Sequence, residues 1–395
     1  MMSMINPCLT GFQCIRCGHR LPVADHPEGC PVCLAASRPA SVVATYQNLP
    51  DLPAAGAGRG MSRFAARLAY PEFVTLGEGD TPLVALPRLA AALGLDTLRI
   101  KLESANPTGS HKDRMSAQFV TRARARGAPA VIAASSGNGG ASVAAYAAAA
   151  GLACTIVTTV ETSPVWRRAI IMTGAHLHVV ETSMERWAVV RDKVRNEGYA
   201  TATNYLDPPV GSDPFAVDAY KTVGYELAEA ENIAAVDAIL VPTARGDLLW
   251  GLHAGLAEAA ATGRLARVPQ LVAVEPFPRL AAVQAGADVT DHFPGKSALV
   301  SINGATVTYQ SLAALERSSG LAVAIDPAEA IADQRLLATN GLYLELSSVA
   351  SLTALRELKR RGRADIRNAI LIGTSHGYKE FPSDAAEPSR PKAGA

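Results

Sequence analysis

The chain has 395 residues, 49% of them apolar, which is enough for two or three packed units with large cores. Lys and Arg (37) nearly balance Asp and Glu (36), so the net charge is +1 and the basic excess of nucleic-acid-binding proteins is missing. No apolar stretch reaches the roughly 18 residues of a membrane span, and the first twelve residues lack a signal-peptide pattern. We therefore expect a cytoplasmic protein that binds neither nucleic acid nor membranes.

Two pairs of cysteines lie near the N-terminus, and two further cysteines lie outside them. Cys14 and Cys17 form the first pair, and Cys30 and Cys33 follow after twelve intervening residues. Four thiolates at such spacing are typical of a tetrahedral zinc site, and disulfides are rare in cytosolic proteins. We expect a structural zinc ion in a ribbon-like module over residues 1–45.

From about residue 73 onward, short apolar runs alternate with helical patterns. The predicted strands are 97–102, 130–133, 154–157, 178–180, 238–241, 271–274 and 369–372. The predicted helices are 112–126, 141–150, 165–174, 183–195, 219–230, 248–262 and 348–361. This alternation predicts an α/β fold with parallel or mixed sheets flanked by helices. Ligands of such sheets bind where strands end and helices begin, so the loops after the strands are the places to search.

Residues 106–114 read NPTGSHKDR and open the first long predicted helix. Ser110 is a good N-cap residue, which places Lys112 in the first turn of the helix. A cation is disfavoured there by the helix dipole, and a neutral lysine amine can form a Schiff base. The alternative is a solvated surface lysine.

This phrase closely resembles the cofactor-lysine motif of threonine synthases, which belong to the pyridoxal-phosphate-dependent fold type II (tryptophan-synthase-β-like) family. The resemblance implies that Lys112 is catalytic and carries pyridoxal phosphate. His111 and Met115 differ from the usual Phe and Gly of that motif. The resemblance also implies a homodimer with a two-domain fold. It places the large domain in 46–105 and 222–381 and the smaller domain in 106–221. The tail 382–395 is rich in Pro, Ala, Ser and charged residues, and we expect it to be disordered.

The segment 135–142, SSGNGGAS, joins a predicted strand to an alanine-rich helix. Small residues allow close backbone approach, and successive N–H groups suit an anion. The segment resembles the asparagine loop of the same family. By that resemblance Asn138 binds the 3′-oxygen of the cofactor, and Ser136, Gly137 and Gly139 help to hold the substrate carboxylate. Gly139 replaces a threonine of the family.

The segment 241–251, VPTARGDLLWG, stands where the family has a glycine-rich loop for the cofactor phosphate. The expected binding residues are Thr243, Ala244, Arg245, Gly246 and Asp247. Arg245 can give a charge-assisted contact to phosphate, whereas a carboxylate at Asp247 would repel it unless it is turned away. Asp247 can also simply cap the helix. Either the loop binds phosphate through backbone N–H groups and Arg245, or cofactor binding has been weakened.

Residues 369–379, AILIGTSHGYK, resemble the stretch after the last core strand of threonine synthases. Thr374 matches the hydroxyl residue that bonds the pyridine nitrogen, and Ser375 is an alternative for that bond. A neutral hydroxyl makes the ring a milder electron sink, which favours elimination and replacement over transamination. We expect a structural role for His376.

Three functional hypotheses follow for a small amino-acid substrate. The resemblance favours a threonine-synthase-like lyase that converts O-phosphohomoserine and water to threonine and phosphate. The second hypothesis is an enzyme that eliminates or replaces at Cβ, such as a serine or threonine dehydratase or a cysteine or cysteate synthase. The third is a catalytically inactive scaffold that contains zinc.

Overall fold

A computed structural model describes residues 4–380, so the expected tail at 382–395 lies outside the described residues. The strands are β1 (Leu9–Cys14), β2 (Arg20–Leu21), β3 (Val42–Tyr46), β4 (Leu83–Ala85), β5 (Thr97–Leu102), β6 (Val131–Ala134), β7 (Cys154–Thr159), β8 (His176–Val180), β9 (Ala200–Thr201), β10 (Ala238–Pro242), β11 (Gln270–Glu275), β12 (Leu321–Ala324) and β13 (Asn368–Gly373). The α-helices are α1 (Pro31–Ala35), α2 (Pro87–Ala92), α3 (Lys112–Ala125), α4 (Asn138–Ala150), α5 (Pro164–Met172), α6 (Ser183–Glu197), α7 (Pro214–Asp218), α8 (Lys221–Ala228), α9 (Asp247–Ala261), α10 (Leu280–Gln284), α11 (Tyr309–Arg317), α12 (Pro327–Ala338) and α13 (Leu346–Arg360).

The largest sheet has six strands in the order β12-β11-β10-β13-β5-β4. All neighbours are parallel except β4, which pairs antiparallel with β5 at one edge. Side chains of a strand alternate between the two faces, and β10 is apolar throughout. Its Ile239 and Val241 enter one hydrophobic core, whereas Ala238 and Leu240 enter the other. A strand buried on both faces is why β10 appears in the sequence as an unbroken apolar run.

The second sheet has four parallel strands in the order β8-β7-β6-β9. Helices α4 and α5 cover one face of this sheet and α6 covers the other, where Trp187 and Val190 pack near Ile132. Its strands span residues 131–201, inside the segment that we assigned to the smaller domain. The predicted α/β class with parallel and mixed sheets is confirmed, while the domain boundaries remain a prediction.

The N-terminal module forms a three-stranded antiparallel sheet with the order β2-β1-β3. Phe12 of this sheet packs edge-on against Phe215 of α7, with 4.7 Å between the ring centroids. These strands were not predicted, because residues 1–40 are polar, rich in cysteine and low in periodic pattern. In β1 the pairing register shifts between Leu9 and Gly11, and in β3 only Val42 is fully buried, so neither strand shows a regular alternation.

Within residues 4–380, no helix combines the length and the apolar character needed to cross a membrane.

Candidate active site

The turn that precedes Lys112 packs directly on the segment after β13. Gly109 has φ +79°, and a Cβ there would lie 2.2 Å from His376 Nε2, so glycine is required for this approach. The backbone N–H of His111 donates to Thr374 O over 3.0 Å. The predicted N-cap role of Ser110 is wrong, because His111 is the N-cap residue and the hydroxyl of Ser110 is buried without a partner among the described residues. The extra turn at 110–111 moves the serine away from the helix start.

The amine of Lys112 lies above the ring of Tyr220, 5.7 Å from its centroid. Burial lowers the pKa of Lys112, the charge of Arg245 lowers it further, and Asp247 partly opposes both. Burial also holds the pKa of the neighbouring His111 well below its usual value, with Lys112 adding to the effect. A partly buried amine with a lowered pKa suits the formation of a Schiff base, in contrast to a solvated surface lysine.

Asn138 is the first residue of α4, at the carboxyl end of β6. Its Nδ2 donates to Glu345 Oε2 over 2.7 Å. Its Oδ1 accepts from Lys379 Nζ over 2.7 Å and from Ser375 Oγ over 2.9 Å. Sequence reasoning assigned Asn138 to the site but gave Glu345 and Lys379 no role, although Lys379 belongs to the stretch 369–379 that resembles the family.

The remaining residues of this turn surround the start of α4. Ser136 Oγ accepts a hydrogen bond of 2.6 Å from Arg186 Nη1. The indole of Trp166 lies 3.7 Å from the position that a Cβ of Gly137 would take. A Cβ on Gly139 would lie 3.2 Å from Ser135 Oγ, so the serine fills part of the space that a larger side chain would use. The structure thus brings Ser136, Gly137, Asn138 and Gly139 together.

The loop 243–247 joins β10 to the start of α9. Gly246 has φ +83°, and a Cβ there would lie 2.3 Å from Ser311 Cβ, so only glycine fits. Asp247 accepts from Ser212 Oγ over 2.6 Å and also from Gln310, and it makes no side-chain cap at the helix. The carboxylate is therefore held by Ser212 and Gln310, which supports the hypothesis that it is turned away from the phosphate site.

The other residues of this loop differ in whether their side chains are available to bind an anion. Thr243 is tied back to its own strand, because its hydroxyl donates to Val241 O over 2.7 Å. The Arg245 guanidinium lies over the ring of Trp187, 5.6 Å from its centroid, and no carboxylate of residues 4–380 lies within 4.0 Å of it. Ala244 stands between them and is half-buried. Arg245 is thus the loop side chain that is available to an anion.

The structure separates the two hydroxyls that follow β13. Ser375 Oγ contacts Asn138 Oδ1 and donates to Gly109 O over 3.0 Å. Thr374 Oγ1 lies 2.7 Å from Ser348 Oγ, and either oxygen can be the donor. Both hydroxyls thus have hydrogen-bond partners, and the assignment of Thr374 to the ring nitrogen stays a prediction.

A buried ionic cluster, which sequence reasoning missed, fixes the helix that carries Lys112. Arg114 bonds Glu103 over 2.7 Å and Glu226 over 2.6 Å, and Lys101 bonds Glu226 over 2.6 Å. These four side chains come from β5, the short turn after it, α3 and α8. The cluster ties α3 to the six-stranded sheet two residues after Lys112.

The four cysteines of the N-terminal module come together as predicted. Their sulfur atoms all lie within 4.8 Å of one another, with 3.6 Å between those of Cys14 and Cys33 and 3.7 Å between those of Cys17 and Cys30. A tetrahedral ion with Zn–S bonds of about 2.3 Å spaces its sulfurs by about 3.8 Å. The geometry therefore fits a zinc ion held by these four thiolates.

The residues at the carboxyl edges of the two sheets also fit pyridoxal phosphate. They provide a partly buried amine at Lys112, a helix start opened by Gly246, an arginine without an ion pair at position 245 and a hydroxyl at Thr374. The backbone N–H groups of the first turn of α9 suit a phosphate, since they have no partner within the helix.

Comparisons with known proteins agree with this description. Residues 74–374 match the sequence profile of the family described as "Pyridoxal-phosphate dependent enzyme". The threonine synthase of Methanocaldococcus jannaschii is 29% identical over 318 residues, which cover 78% of this chain and 77% of the relative. That of Mycobacterium leprae is 30% identical over 285 residues, 71% of this chain and 76% of the relative. The solved structure of maize serine racemase superposes with a TM-score of 0.66 at 19% identity, and the superposition covers 81% of this chain and 94% of the racemase chain.

Proposed function

Since the chain belongs to the pyridoxal-phosphate-dependent enzyme family and resembles its threonine synthases, we propose that it converts O-phosphohomoserine and water to threonine and phosphate. The prediction of a lyase that uses pyridoxal phosphate is confirmed at the level of the family. When bound, the cofactor withdraws electrons from the substrate carbon next to the amino group. The identity of the substrate is the part that we propose, together with the residues that select it.

Two uncompensated guanidinium groups carry this proposal. Arg186 in the first turn of α6 donates to Ser136 Oγ over 2.6 Å and to Ser183 Oγ over 2.8 Å, and its Nε is buried without a partner among the described residues. Burial, together with the nearby charge of Arg245, lowers the pKa of Arg186 to about 10. The unfavourable interaction of two like charges at a half-buried site is relieved when an anion binds.

The class of substrate follows from the number of anionic groups that the site can bind. We assign the backbone N–H groups of 244–247 and Arg245 to the cofactor phosphate, as in the sequence analysis. Arg186 lies between that loop and the asparagine turn, since it donates to Ser136 and lies near the charge of Arg245, and we assign it to a further anion on the side chain of the substrate. A phosphorylated amino acid supplies this anion in addition to its carboxylate, whereas serine or threonine does not.

Each remaining residue has a task in the proposed reaction. Lys112 holds the cofactor and moves protons among Cα, Cβ and Cγ of the substrate, since one flexible amine can reach all three. Asn138 faces the cofactor's 3′-oxygen. The Thr374 hydroxyl meets the ring nitrogen and, being neutral, favours elimination and replacement. His111 packs on Tyr220, with 5.6 Å between the ring centroids, and limits the space beside the Lys112 amine.

Elimination or replacement at Cβ of a serine derivative stays the second candidate. Gly139 favours it, because the hydroxyl that threonine synthases carry at this position is missing and Ser135 occupies part of its space. The same lysine and ring contacts would serve that reaction.

The test is to mix cofactor-loaded protein with O-phosphohomoserine and to measure released phosphate and the amino acid formed. We expect equal amounts of phosphate and threonine, and none from Lys112→Ala, which also loses the visible absorption of the bound cofactor. Release of no phosphate by protein that shows this absorption would contradict the proposal and favour serine derivatives. If the wild type shows neither phosphate release nor the absorption of the bound cofactor, the hypothesis of an inactive scaffold is favoured.

Arg186→Gln tests the second anion directly. We expect KM for O-phosphohomoserine to rise about tenfold or more, because a charge-assisted hydrogen bond is lost. Arg191→Gln is the matched control, since Arg191 lies on the same helix and is exposed. If Arg186→Gln leaves KM unchanged, this arginine does not bind the substrate.

Zinc at the four cysteines and a homodimer complete the proposal. The sulfur geometry supports the zinc ion, and the homodimer and the cytoplasmic location remain predictions by resemblance.

A further inference from the structure

Lys379 is a second lysine of the active site, and the reaction proposed above does not use it. It ends the short helical turn after β13, and its side chain is half-buried. Its Nζ lies 2.7 Å from Asn138 Oδ1 and 3.0 Å from Gly109 O, and it stands 5.0 Å from the ring centroid of Trp166. The amine thus lies between the asparagine turn and the turn that precedes Lys112.

The atoms within hydrogen-bond distance of this amine are all neutral. Besides Asn138 and Gly109, Ser375 Oγ lies at 3.4 Å, and no carboxylate of residues 4–380 comes within 4.0 Å. The nearest acidic groups make hydrogen bonds to other residues: Asp113 accepts from Thr108 and Ser142, and Glu345 accepts from Asn138 through Oε2, while its Oε1 is buried without a partner among the described residues. A half-buried ammonium without an anionic partner favours the binding of an anion.

The position of the amine indicates which anion it binds. The indole of Trp166 links Lys379 to Gly137, since it lies beneath the amine and against the position of a Gly137 Cβ. Gly137 is the N-cap residue of α4, and the N–H groups beside it form the turn that suits a carboxylate. Lys379 and this turn therefore meet at Trp166 and at Asn138, the first residue of the helix.

We propose that Lys379 is the side-chain cation that binds the α-carboxylate of the amino-acid substrate beside the turn 136–139, and that it thereby selects amino acids over their uncharged derivatives. This inference rests on the proposed function only in requiring an amino-acid substrate, and it holds for either candidate reaction.

The protonation of Lys379 is compatible with this role. Burial lowers the pKa of Lys379 to about 8, while Glu345 and Asp113 oppose the decrease. The imidazoles that face it, His111 and His376, have their own pKa values lowered mainly by burial and stay neutral near pH 7. Near pH 7 the amine is thus mainly charged and can pair with a carboxylate.

The experiment compares a ligand with and without the carboxylate charge. Cofactor-loaded wild type, Lys379→Met and Lys379→Arg are titrated with L-threonine and with L-threoninamide, and the spectral change of the bound cofactor gives each Kd. If the phosphate assay with O-phosphohomoserine is negative, L-serine and L-serinamide replace them. The phosphate assay thus tests the proposed reaction separately from this binding site.

We expect the wild type to prefer the carboxylate ligand, Lys379→Met to reduce this preference about tenfold or more, and Lys379→Arg to retain most of it. Equal weakening of both ligands by Lys379→Met would assign the lysine a structural role at Asn138 and overturn the proposal. A changed cofactor spectrum before ligand addition, with an unchanged preference, would assign it to the cofactor and overturn the proposal too. A wild type that shows no preference for the carboxylate ligand, whether it binds both ligands or neither, would also overturn the proposal.

Discussion

Residue 245 is an arginine in a loop that is built from small residues in the family that the chain resembles. Its guanidinium lies over Trp187 and meets no carboxylate within 4.0 Å in residues 4–380. Burial lowers the pKa of Arg245, and Asp247 offsets part of this effect. The charge persists at neutral pH because an arginine does not deprotonate there. We propose that this arginine binds the cofactor phosphate by a charged contact where the family uses small residues.

We predict that Arg245→Ala raises the Kd of pyridoxal phosphate roughly ten- to hundredfold, since a charged hydrogen bond contributes about 1.5–3 kcal/mol. Titration of cofactor-free protein, followed by absorbance, measures this constant. Arg361→Ala, an exposed arginine after α13, is the control and should change nothing. A constant that Arg245→Ala leaves unchanged would mean that the backbone N–H groups alone hold the phosphate.

Sequence reasoning located single residues well where a motif fixed them in a loop. Lys112, Asn138, Gly246 and Thr374 all lie at the carboxyl edges of the sheets, where they were expected. It could not find Arg186 or Lys379, because their roles depend on distances between segments that lie far apart in the chain. The orientation of Asp247 was open for the same reason: its partners Ser212 and Gln310 are distant in sequence.

Among elements, α3 depends most on interactions that the sequence does not reveal. Ten of its fourteen residues are buried, including the charged Asp113 and Arg114. Burial raises the pKa of Glu226, but the charges of Arg114 and Lys101 outweigh burial and hold that pKa well below its usual value. A carboxyl group with a depressed pKa stabilises the fold above about pH 4.3, its unfolded value, and this contribution is lost as the pH falls further.

We predict that Glu226→Gln lowers the free energy of unfolding by about 3–5 kcal/mol at pH 7, because it leaves Arg114 and Lys101 with one buried carboxylate fewer. Urea unfolding measures the change. Glu329→Gln, which breaks an exposed pair with Arg360, is the control and should cost no more than about 1 kcal/mol. Equal losses for the two variants would show that the buried cluster does not hold α3.

The predicted helices and strands of the α/β part all exist, and their ends agree with the prediction to within three residues. Helix ends depend on caps and local turns that a periodic pattern does not record. The elements of the C-terminal half that were not predicted include α11, β12 and α12. Helix α12 exposes Ile331 and Leu336 and so lacks a clean apolar face, while β12 is an edge strand of four residues.

At the scale of the whole molecule, side-chain contacts hold the N-terminal module to the α/β body. We expect the cysteine cluster to fix the fold of the module and thereby the positions of these contacts. Phe12 packs on Phe215, Tyr46 Oη donates to Asp218 over 2.6 Å, and Arg317 donates to Ile15 O over 3.2 Å. The module itself is small. Without a bound metal ion, its four free thiols would leave it with little hydrophobic core.

We predict one zinc ion per chain and its loss, with a lower Tm, in Cys14→Ser, because three thiolates bind zinc more weakly than four. Elemental analysis and thermal unfolding measure both. Cys8→Ser is the control, since Cys8 lies outside the cluster and its thiol only meets Asn48 O at 3.4 Å. Undiminished zinc in Cys14→Ser would rule out the ribbon. A lost zinc ion with an unchanged Tm would show instead that the contacts of Phe12 and Tyr46 suffice to hold the module, so that the metal serves only its local fold.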